Sequence, residues 1–188
     1  MRALIRLVVA SLGILLFFPG VAMAQEAHLR SLAATGTVDQ LKVALHSTSE
    51  ITKQDSSGES ALMLAAAYNH DPLVIPLLIG AGANINARND SGETALIMAA
   101  EYNTVPEMIT ELLKAGADLE DRDGLGRTAL MTAAWGNPNP EVTISLLKAG
   151  ANAKARSYSG QSALEYAQSN ERLLGTDGYR LLEKETDK

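Results

Sequence analysis

Apolar and polar positions along the chain recur together with a period of 34 residues. DSSGESALMLAA begins at Asp55, NDSGETALIMAA at Asn89 and DGLGRTALMTAA at Asp123. Each copy places a polar, glycine-containing turn before an apolar run rich in leucine and alanine. A repeat without gaps describes the whole architecture, so it predicts stacked units that share one elongated core.

Within each unit the pattern predicts a turn, a first helix, a second turn and a second helix. Glycine recurs where a tight turn needs positive φ, at Gly58, Gly92, Gly126 and Gly160. A hydroxyl residue two positions later can cap the first helix, at Ser60, Thr94, Thr128 and Ser162.

The second helix is predicted from a proline at its first turn and a capping glycine after its end. The prolines are Pro72, Pro106 and Pro140, and the glycines are Gly82, Gly116 and Gly150. An extra proline, Pro76, is expected to bend the first of these helices slightly.

The segments SGETALIMAA, which begins at Ser91, and ITELLKAGADLEDRD, which runs from Ile109 to Asp123, resemble the ankyrin repeat. The resemblance implies an all-α ankyrin-repeat solenoid of stacked helix-turn-helix units with protruding return loops. Two features depart from the family pattern. In the helix-opening tetrad, alanine replaces the usual proline, and methionine or isoleucine replaces the usual histidine. Each unit also has 34 residues, where about 33 is usual. The segment NPNPEV accounts for the extra residue.

About five repeats are expected, three regular and two capping, because the outer face of a terminal repeat must meet water. Helices are expected around His28 to Ala34 and Val38 to Leu45 in the N-terminal cap. The predicted units are the N-terminal cap 25–54, the full repeats 55–88, 89–122 and 123–156, and the C-terminal cap 157–188.

The first 24 residues match a secretory signal peptide. Arg2 and Arg6 precede an uncharged apolar run, and Ala22 and Ala24 provide small residues for cleavage before Gln25. The mature chain, residues 25–188, would be a single ankyrin repeat domain. An uncleaved membrane anchor, which would make the protein a membrane-anchored ankyrin adaptor, is the alternative.

Charge and cysteine content narrow the classes of partner and compartment. Removing Arg2 and Arg6 from the 16 basic residues leaves 14 against 22 acidic ones, a net charge of about −8, which argues against nucleic acid. The chain has no cysteine, so it has neither disulfides nor a lipidation site. We expect a monomer in the periplasm, with secretion as the alternative, and no membrane contact after cleavage.

Residues that could carry chemistry are few, so the sequence predicts no enzyme, no cofactor and no metal site. His70 and Asp71 are sequence neighbours without a nucleophile motif. The acidic loop around Asp118, Glu120, Asp121 and Asp123 is interrupted by Arg122 and lacks a calcium-loop pattern. A small hydrolase or ligand-binding protein that uses the groove, with His70 or the acidic loop as its site, remains the alternative.

The ankyrin resemblance implies that a protein partner binds the concave side, at loop tips and the exposed ends of first helices. Aromatic residues there would supply large contact area. Tyr68 and Tyr102 are 34 residues apart and Trp135 is one short of the next equivalent position, which suggests an aromatic row. The predicted contact residues are Ser57, Glu59, Tyr68, Asp90, Ser91, Glu93, Glu101, Tyr102, Leu125, Arg127, Trp135 and Tyr158.

The leading hypothesis is therefore a non-enzymatic protein–protein interaction scaffold in the bacterial cell envelope. Resemblance to exported bacterial ankyrin proteins suggests support of an envelope enzyme, for example in stress defence, or contact with a host protein after further secretion. The sequence does not choose between these roles.

Overall fold

A computed structural model describes residues 28–46 and 51–188, which form ten α-helices joined by turns. The predicted leader, its cleavage before Gln25 and the segment 47–50 lie outside the described residues. The helices are α1 (28–35), α2 (Val38–His46), α3 (Ala61–Tyr68), α4 (Val74–Gly80), α5 (Ala95–Tyr102), α6 (Pro106–Lys114), α7 (Ala129–Gly136), α8 (Pro140–Lys148), α9 (Ala163–Ala167) and α10 (Asp177–Asp187).

The helices stack in two rows, which confirms the predicted all-α repeat solenoid. The inner row runs α3, α5, α7 and α9, and the outer row runs α2, α4, α6, α8 and α10, each helix packing on the next in its row. The inner helices are close-packed through small residues such as Ala66 and Ala100, whereas Leu78, Leu112 and Leu146 of the outer row are completely buried. A single core therefore runs along the whole array.

The turns and caps follow the sequence pattern with one exception. All seven turn and capping glycines named above have φ between 75° and 99°. The side-chain oxygens of Ser60, Thr94 and Ser162 accept from the backbone N–H three residues on. Thr128 is buried at the equivalent position but makes no side-chain capping hydrogen bond.

The second helix of the first full unit begins later than its proline predicted. Pro106 and Pro140 are the first residues of α6 and α8, but α4 begins at Val74, two residues after Pro72. Pro76 is consequently in the first turn of α4, where a backbone N–H has no intrahelical partner. The predicted bend at Pro76 therefore has no physical cause.

A ladder of buried asparagines links the units. Nδ2 of Asn103 donates to the carbonyl oxygens of Ala66 and Asn69 at 2.8 and 2.7 Å, and its Oδ1 accepts from the N–H of Val105 at 2.9 Å. Asn69, Asn137 and Asn170 make the equivalent bonds to the units before them. Each asparagine therefore satisfies backbone groups that packing would otherwise leave buried and unpaired.

Arginines at the end of each return loop form a second ladder. Arg88 donates from Nη1 to the carbonyl oxygens of Gly92 and Arg122, at 2.8 and 2.7 Å, and Arg122 does the same to Gly126 and Arg156. These arginines mainly fasten one loop to the next, although Arg88 also pairs with Asp121.

None of the helices in 28–46 and 51–188 is long and apolar enough to cross a bilayer.

Candidate protein-binding face

The predicted contact residues lie on the side of the array formed by the turn loops and the inner helices, called the inner face below. Consecutive loops are joined along it by backbone hydrogen bonds, from Asp90 N to the Ser57 carbonyl, from Gly124 N to Ser91 and from Tyr158 N to Leu125. The separations are 3.1, 2.8 and 3.0 Å. The loop tips are thus held in register while their side chains face outward.

Two tyrosines from successive inner helices form a ring pair. The centroids of Tyr68 and Tyr102 are 5.8 Å apart with the ring planes tilted by 30°, and each residue is 45% exposed. This arrangement falls within the distances at which aromatic rings attract each other. The pair leaves a large part of both rings open to a partner.

Trp135 does not continue the tyrosine pair. Its position in the repeat is that of Glu101, and the register position of Tyr102 is taken by Gly136. The indole lies instead beside Arg127, whose Cζ is 5.4 Å from the ring centroid, and Trp135 remains 46% exposed. Among the described residues the structure therefore shows a tyrosine pair and a separate Trp135–Arg127 contact rather than one continuous row.

Arg127 is held in place by Asp123. Its Nε donates to Oδ2 of Asp123 at 2.6 Å, while Oδ1 of Asp123 accepts from the N–H groups of Leu125 and Arg127. Asp123 is only 4% exposed. Burial alone would lower the pKa of Arg127, but the hydrogen bond and charge of Asp123 and the charges of Glu101 and Glu93 raise it. The guanidinium therefore stays charged, and these carboxylates largely compensate its charge.

Carboxylates surround the tyrosine pair. Burial, followed by the charges of Asp55 and Glu93, raises the pKa of Glu59. Burial also raises the pKa of Glu101, against the opposing effects of Tyr102 and Arg127. The pKa values of Tyr68 and Tyr102 are raised too, first by burial and then by their acidic neighbours.

The remaining predicted contacts are loop-tip residues. Ser57, Asp90 and Ser91 are exposed, as are Leu125 at 62% and Tyr158 at 75%. The Tyr158 ring lies against the preceding turn, since a Cβ placed on Gly126 would be 2.5 Å from it. The end of the face towards the C-terminal cap is consequently apolar.

The carboxylates considered for chemistry have structural partners. Oδ1 of Asp71 accepts from the N–H of Leu73, and His70 is exposed beside it. In the acidic loop, Asp118 accepts from Glu120 N, and Glu120 from Asn152 N at 2.8 Å. Within the described residues, no three His, Asp or Glu side chains converge as metal ligands would. Two pockets, lined mainly by α1, α2 and α4, lie away from the inner face.

Comparison with known families decides what this array is. Two family models match, one described as ankyrin repeats (3 copies) over residues 29–123 and one as ankyrin repeats (many copies) over residues 112–167. The chain belongs to the ankyrin repeat family. A search of curated proteins found no match.

Family membership gives the ankyrin array its general role, because ankyrin repeats are protein–protein interaction scaffolds and are generally non-enzymatic. The sequence pattern placed Arg127 among the predicted contact residues but did not identify Asp123 as its partner. The spacing of four residues between these two charges is the signal that could have suggested the pair.

Changing Glu101 to glutamine should stabilise the ankyrin array at neutral pH. When folding raises the pKa of a carboxyl group, its protonated form contributes to the stability of the folded state. This contribution is fully present below the ordinary glutamate pKa of about 4.3 and is lost as the pH rises through the raised pKa. Ionisation of Glu101 thus opposes folding, and its Oε2 is buried without a hydrogen-bond partner among the described residues. Glutamine removes this charge.

Thermal unfolding of both forms across pH 3 to 8 measures the effect. The melting temperature of E101Q should exceed that of the unchanged protein at pH 7, and the difference should shrink on acidification. A difference that is constant across this range, or that grows at low pH, would contradict the assignment. The exposed Glu107→Gln provides a charge-matched control.

Proposed function

We propose that this ankyrin protein is a non-enzymatic scaffold of the bacterial cell envelope that holds a protein partner on its inner face. The observation that carries the proposal is the exposed set of Tyr68, Tyr102 and Trp135, displayed on a face whose loops are fixed in register. Aromatic residues with few rotatable bonds are typical binding hot spots. Rigid presentation lowers the entropy lost on binding.

The absence of a catalytic role is part of this proposal. Asp71 and the carboxylates of the acidic loop are used in turns and loop contacts, which favours a structural role for them. A hydrolase or ligand-binding protein would require side chains that converge around a substrate. The described residues favour an extended contact surface instead.

Alanine at Tyr102 or Trp135 should weaken partner binding at least about tenfold, the loss expected for a hot-spot aromatic. The protein folds without these side chains in this interpretation, because nearly half of each residue is exposed. Affinity capture from envelope extract identifies the partner, and titration of that partner with each variant gives the affinity. Melting temperatures measured on the same samples separate binding from folding.

Leu73→Ala is a suitable control, because Leu73 is a 62% exposed apolar residue at the start of an outer helix. It should leave partner affinity unchanged. If the aromatic variants lower only the melting temperature, while the folded fraction binds normally, the rings are structural covers and the inner face is not the contact.

Export to the periplasm is proposed from the leader-like residues 1–24, with secretion beyond the envelope as the alternative. The mature protein should begin at Gln25 and behave as a monomer. Mass analysis of the protein from the envelope fraction tests the cleavage. Recovery of a chain that still carries Met1 or Arg2 would favour the membrane-anchored ankyrin adaptor.

A further inference from the structure

The inner face carries different chemistry along its length. In the first two full units its contact positions include four acidic residues, Glu59, Asp90, Glu93 and Glu101, and no basic one. In the third unit and the C-terminal cap the contact positions include Leu125, Trp135, Tyr158 and a single charge, Arg127. The face therefore has an acidic half and an apolar half.

The acidic half is only partly neutralised by the protein itself, through the charge of Arg127 near Glu101 and Glu93. Among the described residues Glu59, Glu93 and Glu101 belong to no ion pair, in contrast to Arg127 with Asp123. Glu93 accepts a hydrogen bond from Asn89 at 2.7 Å, but Oε2 of Glu101 is shielded from solvent and has no hydrogen-bond partner. A carboxylate with one oxygen in this position is poorly solvated, so a positive charge placed nearby by a partner would stabilise its ionised form.

The tyrosine pair lies among these carboxylates. Glu59, Glu93 and Glu101 are all close enough to Tyr68 to act on it electrostatically. The exposed faces of Tyr68 and Tyr102 are electron-rich surfaces that attract an ammonium or guanidinium group. Carboxylates and ring faces thus select the same kind of ligand, a cation with an apolar stem.

We propose that the acidic half of the inner face, Glu59, Glu93 and Glu101 around Tyr68 and Tyr102, binds a lysine- or arginine-containing segment of the partner protein. This inference rests on the proposed function, because it assumes that the inner face is the contact surface. The basic side chain lies against the tyrosine rings with its cationic end at the carboxylates. Apolar residues of the same segment lie against Leu125 and Trp135.

Other cationic occupants fit the face less well. A metal ion needs three or more converging ligands, and no such group of His, Cys, Asp or Glu occurs in the described part of the chain. A small organic cation would use the acidic half alone and leave the adjoining apolar surface of Leu125 and Tyr158 exposed. A polypeptide that pairs basic with apolar residues covers both halves.

Selection of a random peptide display library on the purified protein tests the proposal without requiring the natural partner. Peptides enriched on the unchanged protein should contain lysine or arginine next to apolar residues. A synthetic copy of the most enriched peptide is then titrated by calorimetry. Trp135 is the only tryptophan in the sequence, so its fluorescence reports independently on occupation of the apolar half.

The decisive variant carries Glu59→Gln, Glu93→Gln and Glu101→Gln, which keeps side-chain size and removes three charges. Its affinity for the peptide should fall at least about tenfold, and the remaining binding should lose most of its salt dependence, because charge-assisted contacts have been removed. The control carries Glu107→Gln, Glu141→Gln and Glu183→Gln. These three residues are exposed on outer helices and give the same change in net charge. The control should bind as the unchanged protein does.

Each outcome separates this proposal from the proposed function. Enriched peptides without basic residues, or equal binding by the triple glutamine variant, would overturn the assignment of a basic segment. If Tyr102→Ala and Trp135→Ala still weakened binding in that case, the inner face would remain the contact surface. If neither set of changes altered binding, both proposals would be wrong. If free arginine bound as tightly as the peptide, the proposal that the ligand is a peptide segment would also be overturned.

Discussion

Replacing Asn103 with alanine should lower the free energy of unfolding by about 3 kcal/mol or more, since a buried polar group left unpaired costs about 1–3 kcal/mol. The change removes two donated bonds, to Ala66 and Asn69, and one accepted bond, from Val105. Asn103 is 3% exposed, so water does not readily replace its amide. The effect should therefore exceed that of an ordinary surface substitution several-fold.

Urea unfolding with circular dichroism measures this loss, and the adjacent Thr104→Ala is the matched control. Thr104 is exposed, and its hydrogen bond with Asn139 is made by its backbone carbonyl, so alanine should change stability by less than about 0.5 kcal/mol. Asn103→Asp keeps the shape and the acceptor but loses both donors, so it should be at least as destabilising as alanine. A loss below about 1 kcal/mol for both Asn103 variants would show that the ladder does not stabilise the stack.

The architecture could be predicted from the sequence because its determinants are local. Glycine recurs at the position of Gly92 because the backbone there has positive φ in every unit, 77° at Gly92 itself, where a side chain would also place its Cβ 2.9 Å from the backbone N of Gly124. Helix-capping hydroxyls and small apolar residues also act within a few positions of their own place in the chain. Patterns of this kind are visible in one unit and are reinforced by repetition.

Determinants that cross from one unit to another were harder to predict. Asn69 and Asn103 directly follow inner helices, and nothing local in the sequence indicates that each amide is bonded to carbonyls 33 to 37 residues away. The prediction that the second helix of the first full unit begins at Pro72 was wrong, because a proline is compatible with the start of a helix but does not require one. The units lack the histidine of the usual helix-opening tetrad, but the asparagine and arginine ladders still connect them.

For the proposed contact face, the repeat register gave a set of positions but not the arrangement of their side chains. Repeat register identified Tyr68 and Tyr102, and the structure brings their rings together. Trp135 lies one residue before the position equivalent to Tyr102, at the position equivalent to Glu101. The sequence shows this shift, but it does not show that the indole contacts Arg127 as a result. The partner of Arg127 and the shielded Glu101 oxygen depend on burial, which the repeat pattern does not reveal.

Removal of the C-terminal cap, residues 157–188, should have the largest effect on solubility. In the whole chain α9 packs on α7 and α10 packs on α8, with Leu173 and Leu182 at 1% exposure or less. Deletion would uncover the apolar sides of α7 and α8 and would also free the carbonyl oxygens of Ala134 and Asn137 from Asn170. A repeat that ends on an apolar face cannot remain soluble without a polar cap.

A point variant keeps the cap hypothesis testable if the truncated chain cannot be purified. Leu182→Ala should cost about 2–5 kcal/mol, because a completely buried leucine leaves a cavity, whereas Leu174→Ala, at a 43% exposed position in the same cap, should cost far less. Light scattering and thermal unfolding measure both consequences. A truncated chain that stays monomeric and melts at the original temperature would show that α9 and α10 are an appendage. The array would then end at Arg156, and the stability of α7 and α8 would depend only on the units before them.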